Sequence, residues 1–246
     1  MTALVGLFCT DGVVIGADSS STFSSGTENT IEQPTEKICV IEGRVIFAGT
    51  GEVGLNQRFE AVLQKTVSGG LKGTSLDISK DICRNALIDF EYTGRRPGGI
   101  GFGALVAFPV NHKPHLCECA LQTFQPEMKT EKHWFASMGS HQKITDAFLG
   151  YLKDVFWPSG PPSLQDGVFA AIWTLEHVIA LNTGGINGPI RIAILENKEG
   201  KAKARMLADS ELDQHKQSVD EAKQHMRKFR DKFQPGASPS DVPKLH

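Results

Sequence analysis

The sequence predicts a layered α+β domain, with two antiparallel sheets between helical layers. Three observations carry this. Strand-like apolar runs open the chain in hairpin pairs, helical periodicity comes in consecutive pairs, and no strand–helix–strand alternation runs through the chain. At 246 residues the chain is long enough for one sizeable core.

Residues 3–9 (ALVGLFC) form an apolar run, TDG supplies a turn, and VVIGAD returns as a second strand ending at Asp18. Residues 19–36, rich in Ser, Thr, Gly and Glu, read as a loop. KICVIEGRVIFAGTG repeats the hairpin around an EG turn, so the first 51 residues contain two hairpins and no helix. The period then changes. Leu55, Phe59, Val62 and Leu63 recur at helical spacing within residues 52–66, as do Ile78, Ile82, Leu87 and Phe90 within 76–91. The glycine-rich stretches 67–75 and 94–101 punctuate these two helices. FGALVAFPV, HLCECALQTF and WFASMGS read as strands, 141–156 and 163–181 as helices, and RIAILE as the last clear strand. Residues 209–233 are strongly charged and predict an exposed helix with Leu212, Val219, Met226 and Phe229 on one side. The Pro/Ser/Gly-rich end reads as disordered. The domain division expected is 2–208 for the folded unit and 209–246 for a charged helix and flexible tail.

Composition narrows the function classes. A hydrophobic content of 40%, a charged content of 22% and a net charge of −2 are ordinary for a globular domain. They point away from bulk nucleic-acid or anionic-membrane binding. No run approaches the roughly 18 apolar residues of a membrane span, and the N-terminus lacks the charged region and cleavage site of a secretory signal. Five cysteines, mostly in apolar runs, are expected as reduced thiols of a cytoplasmic protein. Cys117 and Cys119 form CxC without a second ligand pair at useful spacing, so no metal or other cofactor is expected.

Three features bear on chemistry. Removal of Met1 would expose Thr2, which then carries a hydroxyl nucleophile and a free α-amine on one residue. Such an amine ordinarily titrates near 7.7–8.0 and can act as a base; the alternative is a processed terminus with no role. Asp18 and Lys37 sit at strand ends that the proposed pairing brings toward Thr2. There a lysine would lower the hydroxyl pKa and an aspartate would orient the lysine; the alternative is two surface charges. Gly49, in the AGTG exit, could offer its N–H to an oxyanion, or simply make a tight turn. Ser140 precedes the third helix and could cap it. The eight histidines form no recognisable motif, and GxSxG and HExxH are absent.

Together these segments resemble the proteasome β-subunit and HslV-type peptidase family. Thr2 leads a short strand, and DGVVIGADSSST (11–22) looks like the family's DGVV-x-A-ADSRAT segment. EKICVIEGRVIFAGTG (36–51) looks like its lysine hairpin, and RFEAVLQK (58–65) like the first helix of HslV-type subunits. FASMGS (135–140) resembles the strand ending in a GS turn, and LNTGG (181–185) the (S/T)GG segment. The likeness spans roughly residues 2–207, with five fragments in order. Many proteasome subunits carry an aspartate three residues before (S/T)GG, where this chain has Ala180; HslV-type subunits lack it too. The segment before Lys37 is longer than usual, and the tail exceeds that of most bacterial relatives.

The resemblance implies an Ntn-hydrolase fold, a four-layer αββα sandwich, and a threonine-type endopeptidase acting on peptides or unfolded proteins. It implies that Thr2 is the nucleophile and its amine the base, that Lys37 tunes the hydroxyl and that Asp18 holds Lys37. Ser140 would bond the amine, and Gly49 would supply the oxyanion N–H. Thr22 would pair its backbone with extended substrate, and Phe47 would face a pocket favouring apolar side chains. It further implies homo-oligomeric stacked rings, with the helices of 52–66 and 76–91 at ring contacts. An ATP-dependent unfoldase would be a separate partner, because the chain has no nucleotide-binding motif. Two alternatives stay open at this point, a small-molecule amidase or acylase of the same nucleophile class and a catalytically silent ring scaffold.

Overall fold

The computed structural model describes residues 1–25, 28–94, 99, 101–181 and 185–233. Chain order begins with β1 (Leu4–Phe8), β2 (Gly12–Ala17), β3 (Ser20–Ser25), β4 (Glu28–Pro34), β5 (Ile38–Ile41) and β6 (Val45–Gly51). Two helices follow, α1 (Val53–Ser68) and α2 (Ser75–Glu91). Next come β7 (Phe102–Val110), β8 (Lys113–Cys119), β9 (Pro126–Met128) and β10 (Phe135–Met138). The chain continues through α3 (Gln142–Phe156), α4 (Leu164–Ala180), β11 (Arg191–Lys198), β12 (Lys201–Met206) and α5 (Asp209–Asp231).

Two five-stranded antiparallel sheets form the centre, one ordered β10-β1-β2-β11-β12 and the other β5-β6-β7-β8-β9. Strand parity sorts their side chains into three cores. On β7, Leu105 and Ala107 face the other sheet and meet Leu4, Ile15 and Ile46. Phe102, Ala104, Val106 and Phe108 point the other way, onto α1 and α2. On β1, Val5 and Leu7 face α3 and α4. Both faces of each sheet are therefore covered, which is why these strands read as continuous apolar runs rather than alternating ones. The result is the expected four-layer αββα sandwich.

Local chemistry fixes the element ends. Thr74 and Asp77 form a reciprocal capping box at the start of α2. Ser163 caps α4 by accepting from the Asp166 N–H. Asp11, in the β1–β2 turn, accepts from the Leu164 N–H at 2.6 Å and locks that turn to α4.

Four expectations are corrected. Residues 19–36 are not a loop: β3 and β4 form a third hairpin, pairing Ser20 with Pro34 and Thr22 with Glu32. Two short edge strands, β9 and β12, went unread in the sequence. Ser140 does not cap α3, whose N-cap is His141 without a side-chain cap. Finally, α5 is not exposed along its length. Leu212 and Val219 are buried in the α3/α4 core, and Lys223 reaches Glu176 of α4 at 2.9 Å. Met226 and Phe229 lie beyond that contact and are exposed. No helix among the described residues is long and apolar enough to cross a membrane.

Candidate active site

The β1–β2 hairpin pairs Leu4 with Ala17, so Asp18 comes opposite Ala3, just inside the chain terminus. Its carboxylate is fully buried. One oxygen accepts from the Ala3 N–H at 2.9 Å, and the other from the Ser20 N–H at 3.1 Å. The same carboxylate receives both bonds of a fork from Lys37 Nζ, at 2.7 and 2.9 Å. Asp18 thus ties the start of β1, the start of β3 and the start of β5 to one group.

Lys37 arrives from the other sheet, one residue before β5, and is also buried. Its third bond goes to the Met1 carbonyl oxygen at 3.1 Å. Three acceptors around one Nζ match the three donors of an ammonium. Burial pushes the Lys37 pKa down, and the neighbouring Asp18 carboxylate opposes that push without cancelling it. The terminal amine of Met1 is lowered as well, by burial first and by the Lys37 charge second, against Asp18 and Glu32. This corner favours a neutral amine beside a lysine whose proton is loosened.

Ser140 comes from β10. The pairing of Leu4 with Met138, continued outward, sets residue 140 opposite residue 2. The Thr2 N–H donates to Ser140 Oγ at 3.2 Å. Between them Gly139 has φ +105°, and a Cβ there would run into the Thr2 carbonyl oxygen. Only glycine permits that approach.

Gly49 lies on β6 one residue beyond the last β5–β6 pair, Ile38 with Ala48. Its backbone edge therefore opens onto a recess of about 50 Å³ that includes Thr2, Ser21, Lys37, Gly49, Val53 and Asn56 in its wall. Thr2, Asp18, Lys37, Ser140 and Gly49 are thus brought to one corner.

The two substrate-binding expectations fare differently. Thr22 lies on β3, next to Ser21, which helps wall the recess. Ser19 accepts from the Thr35 N–H at 3.1 Å, and Pro34, opposite Ser20, has no N–H. The alternation of an antiparallel pair then directs the Thr22 backbone away from β4. Phe47 is a correction. It shares Gly49's face but lies two residues deeper, under α1, where its ring packs edge-on against Phe59 at 5.6 Å. It is fully buried in the helix-side core and is not among the residues that wall the recess. The recess is small and mixed in character, with Val53 beside Ser21, Thr35 and Lys37.

Three residues at this corner were not singled out by the sequence. Asn56, on α1, sits against Gly49 so closely that a Cβ there would overlap its Oδ1, and that buried oxygen has no partner among the described residues. Glu32, on β4, bonds the Ser20 hydroxyl and the Asn187 amide; those bonds, Ser20 first, hold its carboxyl below the usual range. His141 is buried, with Nδ1 3.0 Å from Ser140 Oγ. None of the three has a local motif, because each reaches the corner from a different element. Of the LNTGG segment, residues 182–184 lie outside the described residues.

The chain matches the family model described as "Proteasome subunit" over residues 2–153. No curated protein matches it. Among solved structures it is similar to the Gly-1 mutant of Anbu from Hyphomicrobium sp. strain MC1. The TM-score is 0.68 at 12% sequence identity, covering 96% of this chain and 99% of that one. At that identity the likeness speaks to the fold.

Proposed function

This chain belongs to the proteasome subunit family, and we propose that it is an N-terminal-threonine peptidase whose nucleophile is Thr2 after loss of Met1. The observation that carries this reading is the position of Lys37. Its Nζ, gripped by Asp18, lies 3.1 Å from the oxygen of the Met1 carbonyl that acylates the Thr2 nitrogen. Cleavage of the Met1–Thr2 bond removes that carbonyl and frees the third donor of the ammonium beside the Thr2 hydroxyl.

The reaction then runs in two halves. The Thr2 hydroxyl passes its proton to its own amine, directly or through a water, while Lys37 stabilises the developing alkoxide. Oγ1 attacks the peptide carbonyl, and the oxyanion is met by the Gly49 N–H. Collapse breaks the C–N bond, and the ammonium proton goes to the leaving amine. Water, deprotonated by the same amine, hydrolyses the ester and restores the hydroxyl. Extended substrate adds as a strand along the outward backbone edge at Thr22. The recess of about 50 Å³ suits a small side chain before the cut. The subunits stack as homo-oligomeric rings in the cytoplasm, with α1 and α2 at the contacts, and a separate ATP-driven unfoldase feeds the chamber.

The test has two parts. Intact mass should show loss of Met1, and a threonine-directed epoxyketone or boronate should then add to Thr2. Thr2→Ala should abolish hydrolysis of a peptide reporter and leave assembly unchanged by light scattering. Wild-type turnover by Thr2→Ala would end the nucleophile assignment.

A further inference from the structure

Resting on the peptidase reading, we propose that His141 is a positioning residue that keeps the lone pair of the Thr2 amine free by taking the hydrogen bond of the Ser140 hydroxyl. Ser140 Oγ has three polar neighbours. The Thr2 nitrogen lies at 3.2 Å, His141 Nδ1 at 3.0 Å and the Thr2 carbonyl oxygen at 3.5 Å. A hydroxyl has one proton to give. If it goes to the Thr2 amine as O–H···N, it occupies the lone pair that must accept the proton of the Thr2 hydroxyl. If it goes elsewhere, Ser140 can only accept from the amine, and the lone pair stays free. The shorter of the two other acceptors is His141 Nδ1, which assigns the tautomer with the proton on Nε2.

The fold holds the imidazole for this task. His141 is the N-cap of α3 and is only 7% exposed. Its carbonyl accepts from the Ile144 and Thr145 N–H groups at 2.9 and 3.0 Å, and from Thr145 Oγ1 at 3.2 Å. The charged groups facing the ring are Asp18, from the end of β2, and the terminal amine, from the start of β1. Nearby Asp146 of α3 is engaged by Ser137 at 2.6 Å. Burial holds the imidazole pKa below 6.5, Asp18 pulls it up, and the terminal amine adds to the lowering. The acceptor form therefore prevails at neutral pH. Protonation at Nδ1 removes the acceptor and releases the Ser140 proton toward the amine.

The test is a double-mutant cycle on the Met1-free protein. His141→Ala should lower kcat about tenfold, the worth of one oriented hydrogen bond, with KM unchanged. In a Ser140→Ala background the same change should cost nothing further. His141→Asn, whose Oδ1 overlays Nδ1 as an acceptor, should recover most of the loss. Log kcat should steepen with falling pH below 6.5, the ordinary histidine value, in wild type and not in His141→Asn. Equal losses in the two backgrounds, an indifferent His141→Ala in an active enzyme, or an unsteepened wild-type profile each overturns the assignment. A Met1-free wild type that hydrolyses no peptide overturns the peptidase reading, and this inference with it.

Discussion

Two lysines of this protein, Lys37 and Lys129, are both 7% exposed, yet their ammonium groups are held on opposite terms. Lys129 follows β9 at the edge of the second sheet, with Glu118 and Glu127 each 2.7 Å from its Nζ. Burial alone would push its pKa down, but the hydrogen bonds it donates to Glu118 and Glu127 outweigh that and the pKa is raised. Lys37 has one carboxylate, Asp18, and its third donor is spent on the Met1 backbone carbonyl. Its pKa is lowered. Both are buried, and the difference lies in the carboxylates that they bond: Lys129 bonds two, while Lys37 bonds Asp18 alone and feels Glu32 only at a distance. A surplus of carboxylate makes a clamp, and a deficit leaves a proton within reach of chemistry. The sequence shows Glu36-Lys37 at one place and Lys129-Thr130 at the other, without this distinction.

The largest expected difference is in turnover. Lys37→Met should lower kcat for a peptide reporter by about 10²–10³-fold, the scale set by removing one preorganised electrostatic stabiliser. Lys129→Met should leave kcat within about twofold, since nothing links β9 to the corner. Comparable losses in the two variants would mean that Lys37 acts through stability alone.

Stability should separate the pairs next. Asp18 has no exposed surface and receives two backbone N–H bonds besides Lys37. Asp18→Asn leaves a buried ammonium without its anion, which costs about 3–5 kcal/mol in urea denaturation. Glu118→Gln leaves Lys129 with Glu127, whose side chain is 63% exposed. That change should cost about 1 kcal/mol. If the two costs came out equal, the contrast between a single-anion and a two-anion site would not hold.

What the sequence shows and hides follows the same division between local and distant contacts. The layered fold is legible because the covered sheets leave long apolar runs, and because α1 and α2 carry their stripes at Leu55, Phe59, Ile78 and Ile82. The β3–β4 hairpin is not legible, because its Ser, Thr and Glu residues carry no apolar alternation to announce a strand. Strand β12 escapes for a related reason. Only Ala202 and Ala204 face inward on it, between exposed lysines. At the corner, Asp18 could be placed because hairpin register is short-range arithmetic, whereas Lys37 crosses from the other sheet and is brought there by sheet packing. Asn56 could not, since helix docking, not register, delivers it, and register brings His141 in beside Ser140 without showing that its ring turns back to the hydroxyl. Phe47 was misplaced for want of one fact, that α1 already covers β6 two residues in from Gly49.

The pH response sharpens the comparison by the smallest margin and tests both lysines at once. Hydrolysis needs the Thr2 amine neutral and Lys37 charged. Burial and the Lys37 charge lower the Met1 amine at this end; if they act likewise on the Thr2 amine, kcat/KM should rise through a pKa below the ordinary value of about 7.7–8.0. It should fall again below pH 10.5, because the folded Lys37 pKa is lowered from there. In the window between that lowered pKa and 10.5, the folded chain binds fewer protons at Lys37 than the unfolded chain does. Stability therefore rises with pH through that window, and the alkaline loss of activity is not unfolding. Lys129 has the reverse sign. Its contribution is fully present below 10.5 and is lost as pH climbs through its raised folded pKa. Urea midpoints followed alongside kcat/KM should hold while activity falls. Above 10.5 the wild type should lose stability faster than Lys129→Met, in which that titration is gone. Activity that held to 10.5 and then fell together with the midpoint would place Lys37 with Lys129, as a clamp.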